Sequence, residues 1–215
     1  MCGSIYVVLS KTPYKMGGFI RTVTHSKYNH VSIAFDSSLE EMYSFARYHK
    51  STPLYGGFVR ESSKRYLNGK KSAIIKVCKI PLTDEQLVLA KQFIVKFTES
   101  SERCLYNMLS ILCYPFRHRV LIPKCFTCVE FALEFFKQIN FDIGVKKNGF
   151  CSTSRFMKVL SKYEIYSGEI NDVVKEPSYD GDRFYEKVGF FKSIGLTFSA
   201  NGTVIKRLFT RKKKA

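Results

Sequence analysis

Two short stretches of the chain carry side chains able to do chemistry together. In "NHVSIAF", His30 opens an alternating run in which Val31, Ile33 and Phe35 point one way and His30, Ser32 and Ala34 the other. In "FTCVEFALEFF", Thr127 precedes a helical pattern and Glu130 lies three residues on, a capping-box spacing that makes Cys128 the first helical residue. A thiol at that place lies beside unpaired backbone N–H groups and the positive end of the helix dipole, a setting that favours thiolate. Facing a histidine, it makes a nucleophile–base pair: the imidazole takes the thiol proton and returns it to a leaving group, while an N–H at the helix start stabilises an oxyanion. Taken singly, His30 and Cys128 each have a plainer reading as packed core residues.

Cys125 and Cys128 also form a C-x-x-C pair, which raises redox and metal readings. A thioredoxin-like site needs a strand before it and a Gly/Pro-rich approach, which "FRHRVLIPK" does not supply. A zinc site needs four ligands; Cys151 and His118 are the nearest recruits, and no second closely spaced pair exists. No metal or other cofactor is expected.

These two stretches must be held by a sheet and at least one packed helix. Residues 4–10 and 72–80 read as buried strands, residues 30–35 and "MYSFARY" as a hairpin, and residues near 16–24 as a short helix. From His49 to Lys71 the prolines, glycines and charges read as loop with a short strand or turn at "GGFVRE". Thr83 and Gln86 cap a helix over about 84–98. "CLYNMLSILC" reads as a second, more buried helix, "FTCVEFALEFF" as a third, residues 152–160 as a fourth, and "YEIYSGEI" as a strand. Residues 171–188 read as loop, and the Asn-Gly at 201–202, flanked by apolar runs, as a hairpin.

The 215 residues, 45% hydrophobic with 19 Phe and 13 Tyr, suffice for one packed core. No apolar run approaches the roughly 18 residues of a membrane span. The start lacks the basic head and long apolar stretch of a signal peptide. Seven cysteines, an odd number, fit reduced thiols better than a disulfide framework, so a cytoplasmic location is expected. The net charge is +17; subtracting the six positive charges of residues 206–215 leaves +11, so the body is basic too. Attraction to polyanions or an anionic membrane follows, with no signature of a nucleic-acid module.

"YNHVSIAFD…LEEMYSFAR", then "GGFVRE", "FTCVEFALEFF" and "IYSGEI", together resemble the permuted NlpC-type cysteine hydrolases of the papain-like superfamily, with the YiiX/YebB-like group as the nearest branch. There the histidine strand precedes the cysteine helix. The resemblance covers roughly residues 4–168 and implies an α+β fold, a circularly permuted papain-like (NlpC-type) domain over 1–205 with a basic tail at 206–215. The antiparallel sheet would have about five or six strands, with the nucleophile helix packed against it. It implies Cys128 as nucleophile and His30 as general base, with a third polar residue on the next strand orienting the imidazole. Glu41 matches by chemistry and Ser44 by position; they lie on opposite faces, so only one can serve. Val129 departs from the serine found after the cysteine in some members. Tyr28, Asn29 and Thr127 are expected to line the substrate cleft. The expected activity is acyl-enzyme hydrolysis of an amide, peptide or (thio)ester bond in a peptide, lipid or small-molecule substrate. Two other classes compete: a non-catalytic binding module of the same fold, and a basic nucleic-acid-associated protein.

Overall fold

The computed structural model describes residues 3–68, 71–100, 104–145, 150–175 and 179–212. The chain begins with strand β1 (Gly3–Lys11), helix α1 (Lys15–Thr24), and the strands β2 (His30–Ala34), β3 (Met42–Arg47) and β4 (Gly56–Glu61). The two-residue strands β5 (Leu67–Asn68) and β6 (Lys71–Ser72) lead into β7 (Ile74–Leu82) and α2 (Asp84–Glu99). Next come β8 (Leu105–Tyr106), α3 (Met108–Leu112), β9 (Cys125–Phe126), α4 (Cys128–Gln138) and α5 (Thr153–Leu160). The chain closes with β10 (Glu164–Glu169), α6 (Ile170–Val173) and α7 (Phe190–Lys212). Among the described residues the fold is mixed α+β, with seven α-helices and an eight-stranded sheet in the order β10-β7-β1-β2-β3-β4-β8-β9; neighbouring strands pair antiparallel except β8 with β9. The five or six strands expected from sequence fall short because β8 and β9 are two residues each, too brief to show a period, and "GGFVRE" is a full strand.

Alternation decides which face each strand buries. Ile5, Val7, Leu9, Val31, Ile33, Phe45 and Phe58 share a core with Phe93 of α2 and Phe131 and Phe135 of α4. The register pairs Ser10 with His30, Ala34 with Met42, Ser44 with Val59 and Met42 with Glu61, which puts His30, Ser32, Ser44 and Glu61 on the opposite face. That face is sealed at one end by Val8, Ala34, Met42, Tyr66 and Ile75. Gly57 is required where it stands: a Cβ there would lie 2.1 Å from the Cys104 carbonyl oxygen and 2.2 Å from the Tyr48 hydroxyl, so the glycine lets the chain before β8 close against β4.

Three expectations need correction. "CLYNMLSILC" is not one buried helix: it gives β8, then the short α3 capped by Asn107, whose side chain accepts from the Ser110 N–H. The Asn-Gly at 201–202 is not a hairpin but lies in the middle of α7. Ala200, Val204 and Leu208 of α7 pack with Leu105, Ile122 and Cys125, and the Asn201 amide donates to the carbonyls of Thr197 and Leu54. That packing overrides the roughly 1 kcal/mol that a mid-helix glycine costs. The boundary expected at 205/206 also falls inside α7; residues 206–212 continue the helix, and 213–215 lie outside the described residues.

Candidate active site

The capping box forms as the spacing requires: Thr127 Oγ1 accepts from the Glu130 N–H at 3.2 Å and Glu130 Oε2 accepts from the Thr127 N–H at 2.8 Å. Cys128 is thereby fixed as the first residue of α4. The same helix packs on β2 and β3, and its start meets the end of the sheet where β2 begins with His30. The Cys128 thiol lies close enough to the imidazole to act on its charge.

The other side of the imidazole is held by Glu61, at the end of β4. His30 Nε2 lies 2.7 Å from Glu61 Oε1. The carboxylate accepts from the Ser44 hydroxyl at 2.5 Å on Oε1, and from Ser32 at 2.8 Å and Tyr66 at 2.5 Å on Oε2. Glu61 is 1% exposed, so an ionised carboxylate depends on these donors. Burial works against its charge, but His30, Arg65 and Ser44 outweigh it and hold the carboxyl well below the usual range. Burial likewise works against the charged imidazole. Glu61 and Cys128 outweigh it and raise the His30 pKa. An ionised Glu61 requires that Nε2 carry its hydrogen and donate it, which leaves Nδ1 as the nitrogen free to take up or release a proton. Behind Glu61, Arg65 is gripped by Asp182 through its Nε, and through Nη2 at 2.6 Å, and donates from Nη1 to the Arg47 carbonyl at 2.7 Å.

Neither expected orienter holds the imidazole. Glu41 sits at the far end of β2, its carbonyl accepting from the Phe35 N–H, five residues or about 17 Å along the strand from His30. Its carboxylate accepts from the Tyr43 hydroxyl at 3.0 Å. Ser44 is on the correct face, yet its hydroxyl is spent on Glu61. Sequence reasoning missed Glu61 because Pro53, Gly56, Gly57 and Gly69 made the segment read as loop. The signal was there: Gly57, Val59 and Glu61 alternate with Phe58 and Arg60.

Tyr28 does not line the cleft; it is fully buried in the main core. Asn29 does border the cleft, but its amide is committed: Oδ1 accepts from the Thr12 N–H at 3.0 Å and Arg21 Nη1 at 2.8 Å, and Nδ2 donates to Thr12 Oγ1 at 2.9 Å. Thr127 borders the cleft beside Cys128 with its hydroxyl used in the cap. Tyr106 of β8, not singled out from sequence, lines the same hollow as Cys128 and lies close enough to interact with it. Burial and the nearby Cys128 and Glu130 hold its phenol well above its usual value, so it stays a donor.

Two hollows flank the pair, sharing Ile20, Asn29, Tyr106 and Ile111. The one on the His30 side is lined largely by apolar groups, among them Met16, Phe19, Leu54 and Met108. The one on the Cys128 side is more polar, with Ser110, His118, Arg119 and Glu130. Among the described residues no three His, Cys, Asp or Glu side chains group as a metal ion would need. Cys125 instead packs in a separate cluster, its sulfur 3.6 Å from Arg207 Nη1. No helix among the described residues is long and apolar enough to cross a membrane. Compared with family models, curated proteins and solved structures, the chain matches none.

Proposed function

We propose that the protein is a cysteine hydrolase that works through an acyl-enzyme, with Cys128 as nucleophile, His30 as base and Glu61 as the residue that orients and charges the imidazole. The observation that carries this reading is an imidazole bound to a buried carboxylate and set beside a thiol at a helix start. Glu61 fills the orienting place that the resemblance to permuted NlpC-type enzymes calls for, one strand later than expected, and the strand–histidine then helix–cysteine order agrees with a permuted papain-like fold.

The chemistry follows from the geometry. The thiolate attacks a carbonyl carbon while the His30 imidazolium holds the proton and later gives it to the leaving amine, alcohol or thiol. The backbone N–H groups at the start of α4 and the Tyr106 hydroxyl face the developing oxyanion. Water, deprotonated by His30, then releases the acid. The apolar hollow on the His30 side fits a hydrophobic group, and the polar one beside Cys128 fits the other part of the substrate. Amides, peptides, esters and thioesters all meet this description. A non-catalytic module of the same fold needs no charged partner on His30, whereas Glu61 supplies one.

The test is capture of the intermediate. Incubated with p-nitrophenyl butyrate, the chain releases a burst of nitrophenol equal to the enzyme present and gains one butyryl group on the peptide containing Cys128. Cys128→Ser abolishes the burst and His30→Gln suppresses it. A burst that survives Cys128→Ser sinks the assignment.

A further inference from the structure

Helix α7 spans 23 residues, about 34 Å, and leaves its largest apolar side chains exposed. Phe190, Phe191, Phe198 and Phe209 are 73%, 86%, 75% and 60% exposed, and Ile194 and Ile205 are also exposed. At about 100° per residue, these six fall within an arc of about 100°. Leu196, Ala200 and Val204 run along the adjoining side and Leu208 falls at the edge of the stripe; Ala200, Val204 and Leu208 meet the edge of the sheet at Leu105, Ile122 and Cys125. Gly195 and Gly202 follow the outward stripe on one flank, and the exposed Lys192 and Lys206 lie beyond them. Scattered exposed apolar residues are ordinary; six in one stripe on a helix already packed along its adjoining side are not.

We propose that α7 is an interfacial helix that lies flat on an anionic lipid surface, its phenylalanine stripe in the acyl region and its lysines at the headgroups. An apolar arc, a basic flank and a chain charge of +17 are complementary to such a surface. A neutral partner of equal apolarity would leave the lysines unanswered. The helix is tied to the mouth of the cleft: Ser193 Oγ donates to the Ser51 carbonyl at 3.2 Å and the Asn201 amide to the Leu54 carbonyl at 3.1 Å, and Leu54 lines the apolar hollow. A surface bound by α7 therefore lies next to the lip of the cleft. Membrane binding goes beyond the hydrolase reading and does not need Cys128.

The chain has no tryptophan, so Phe198→Trp provides a single reporter. With vesicles of phosphatidylcholine and phosphatidylglycerol (3:1), its emission shifts to the blue and iodide no longer quenches it. Pure phosphatidylcholine gives a weaker response, and added salt weakens binding. In co-sedimentation, Phe191→Ser combined with Phe209→Ser lowers partitioning at least tenfold, and Lys192→Glu with Lys206→Glu removes the preference for anionic vesicles. Cys128→Ser binds as the wild type does. An unshifted, fully quenchable Phe198→Trp with anionic vesicles overturns the proposal. So does vesicle binding untouched by the phenylalanine substitutions, or a blue shift that needs no vesicles and tracks self-association in sedimentation velocity, since the stripe would then face a second copy of the chain.

Discussion

Replacing Glu61 with Gln keeps the side chain's shape and removes its charge. The amide oxygen can still accept from His30 Nε2, now 2.7 Å from Oε1, and the new NH2 group meets Ser32 and Tyr66, whose hydroxyls can turn to accept. The packing is therefore retained and the imidazolium loses its counter-ion. Unit charges centred about 4 Å apart at an effective dielectric of about 20 attract by about 4 kcal/mol. That is about three pKa units on His30, or about a thousandfold in the equilibrium between the thiolate–imidazolium pair and the neutral pair. The assay is the rate of Cys128 alkylation by iodoacetamide, read by mass spectrometry on its own peptide between pH 5 and 9. At pH 6 the wild-type rate exceeds that of a model thiol, and Glu61→Gln lowers it by two to three orders of magnitude. Equal profiles for the two proteins, with equal melting temperatures, would falsify the claim that Glu61 charges the imidazole.

Stability should depend on pH through the same pair. The raised His30 contributes stability that is fully present below its unfolded pKa of about 6.5 and is lost as pH rises through the higher folded value, about 10. The depressed Glu61 contributes stability present above its unfolded value and lost as pH falls toward its low folded value. Melting curves of wild type against His30→Gln should therefore converge at the alkaline end; a constant difference across the range contradicts the linkage. Thr127→Ala removes the α4 cap and should cost about 1 kcal/mol, about 2–4 °C in melting temperature, with slower Cys128 alkylation. Phe131→Ala, at a fully buried ring packed on Phe45, Phe58, Phe93 and Phe97, should cost about 3–5 kcal/mol in denaturant titration; a loss below about 1 kcal/mol would show that the core closes over the gap.

The sequence was most legible where local rules act alone. Capping boxes at Thr83 and Thr127 need only four consecutive residues, and both formed as spaced. The alternation from His30 correctly separated core from site face. Legibility failed where partners distant in sequence decide. Gly56 and Gly57 signal a turn in isolation but make a strand once β3 and β8 flank them. Asn201–Gly202 signals a hairpin until Ala200, Val204 and Leu208 find a sheet edge to cover. The resemblance puts the orienting residue on the strand after the histidine strand; the site reaches one strand further, across Ser44 to Glu61. Asp182, in a stretch that reads as polar loop, closes the arrangement by holding Arg65.

Asp182 also sets an order of assembly. His30, Glu61 and Cys128 come from β2, β4 and α4, and the aspartate that steadies Arg65 behind Glu61 lies 117 residues after it in the chain. A chain emerging from synthesis presents His30 early, Glu61 soon after, and no thiol beside them until α4 has docked across nearly a hundred intervening residues. On the proposed reading, nucleophile and base are thus kept apart until α4 has emerged and docked, and the sulfur is activated only once that long-range part of the fold is in place.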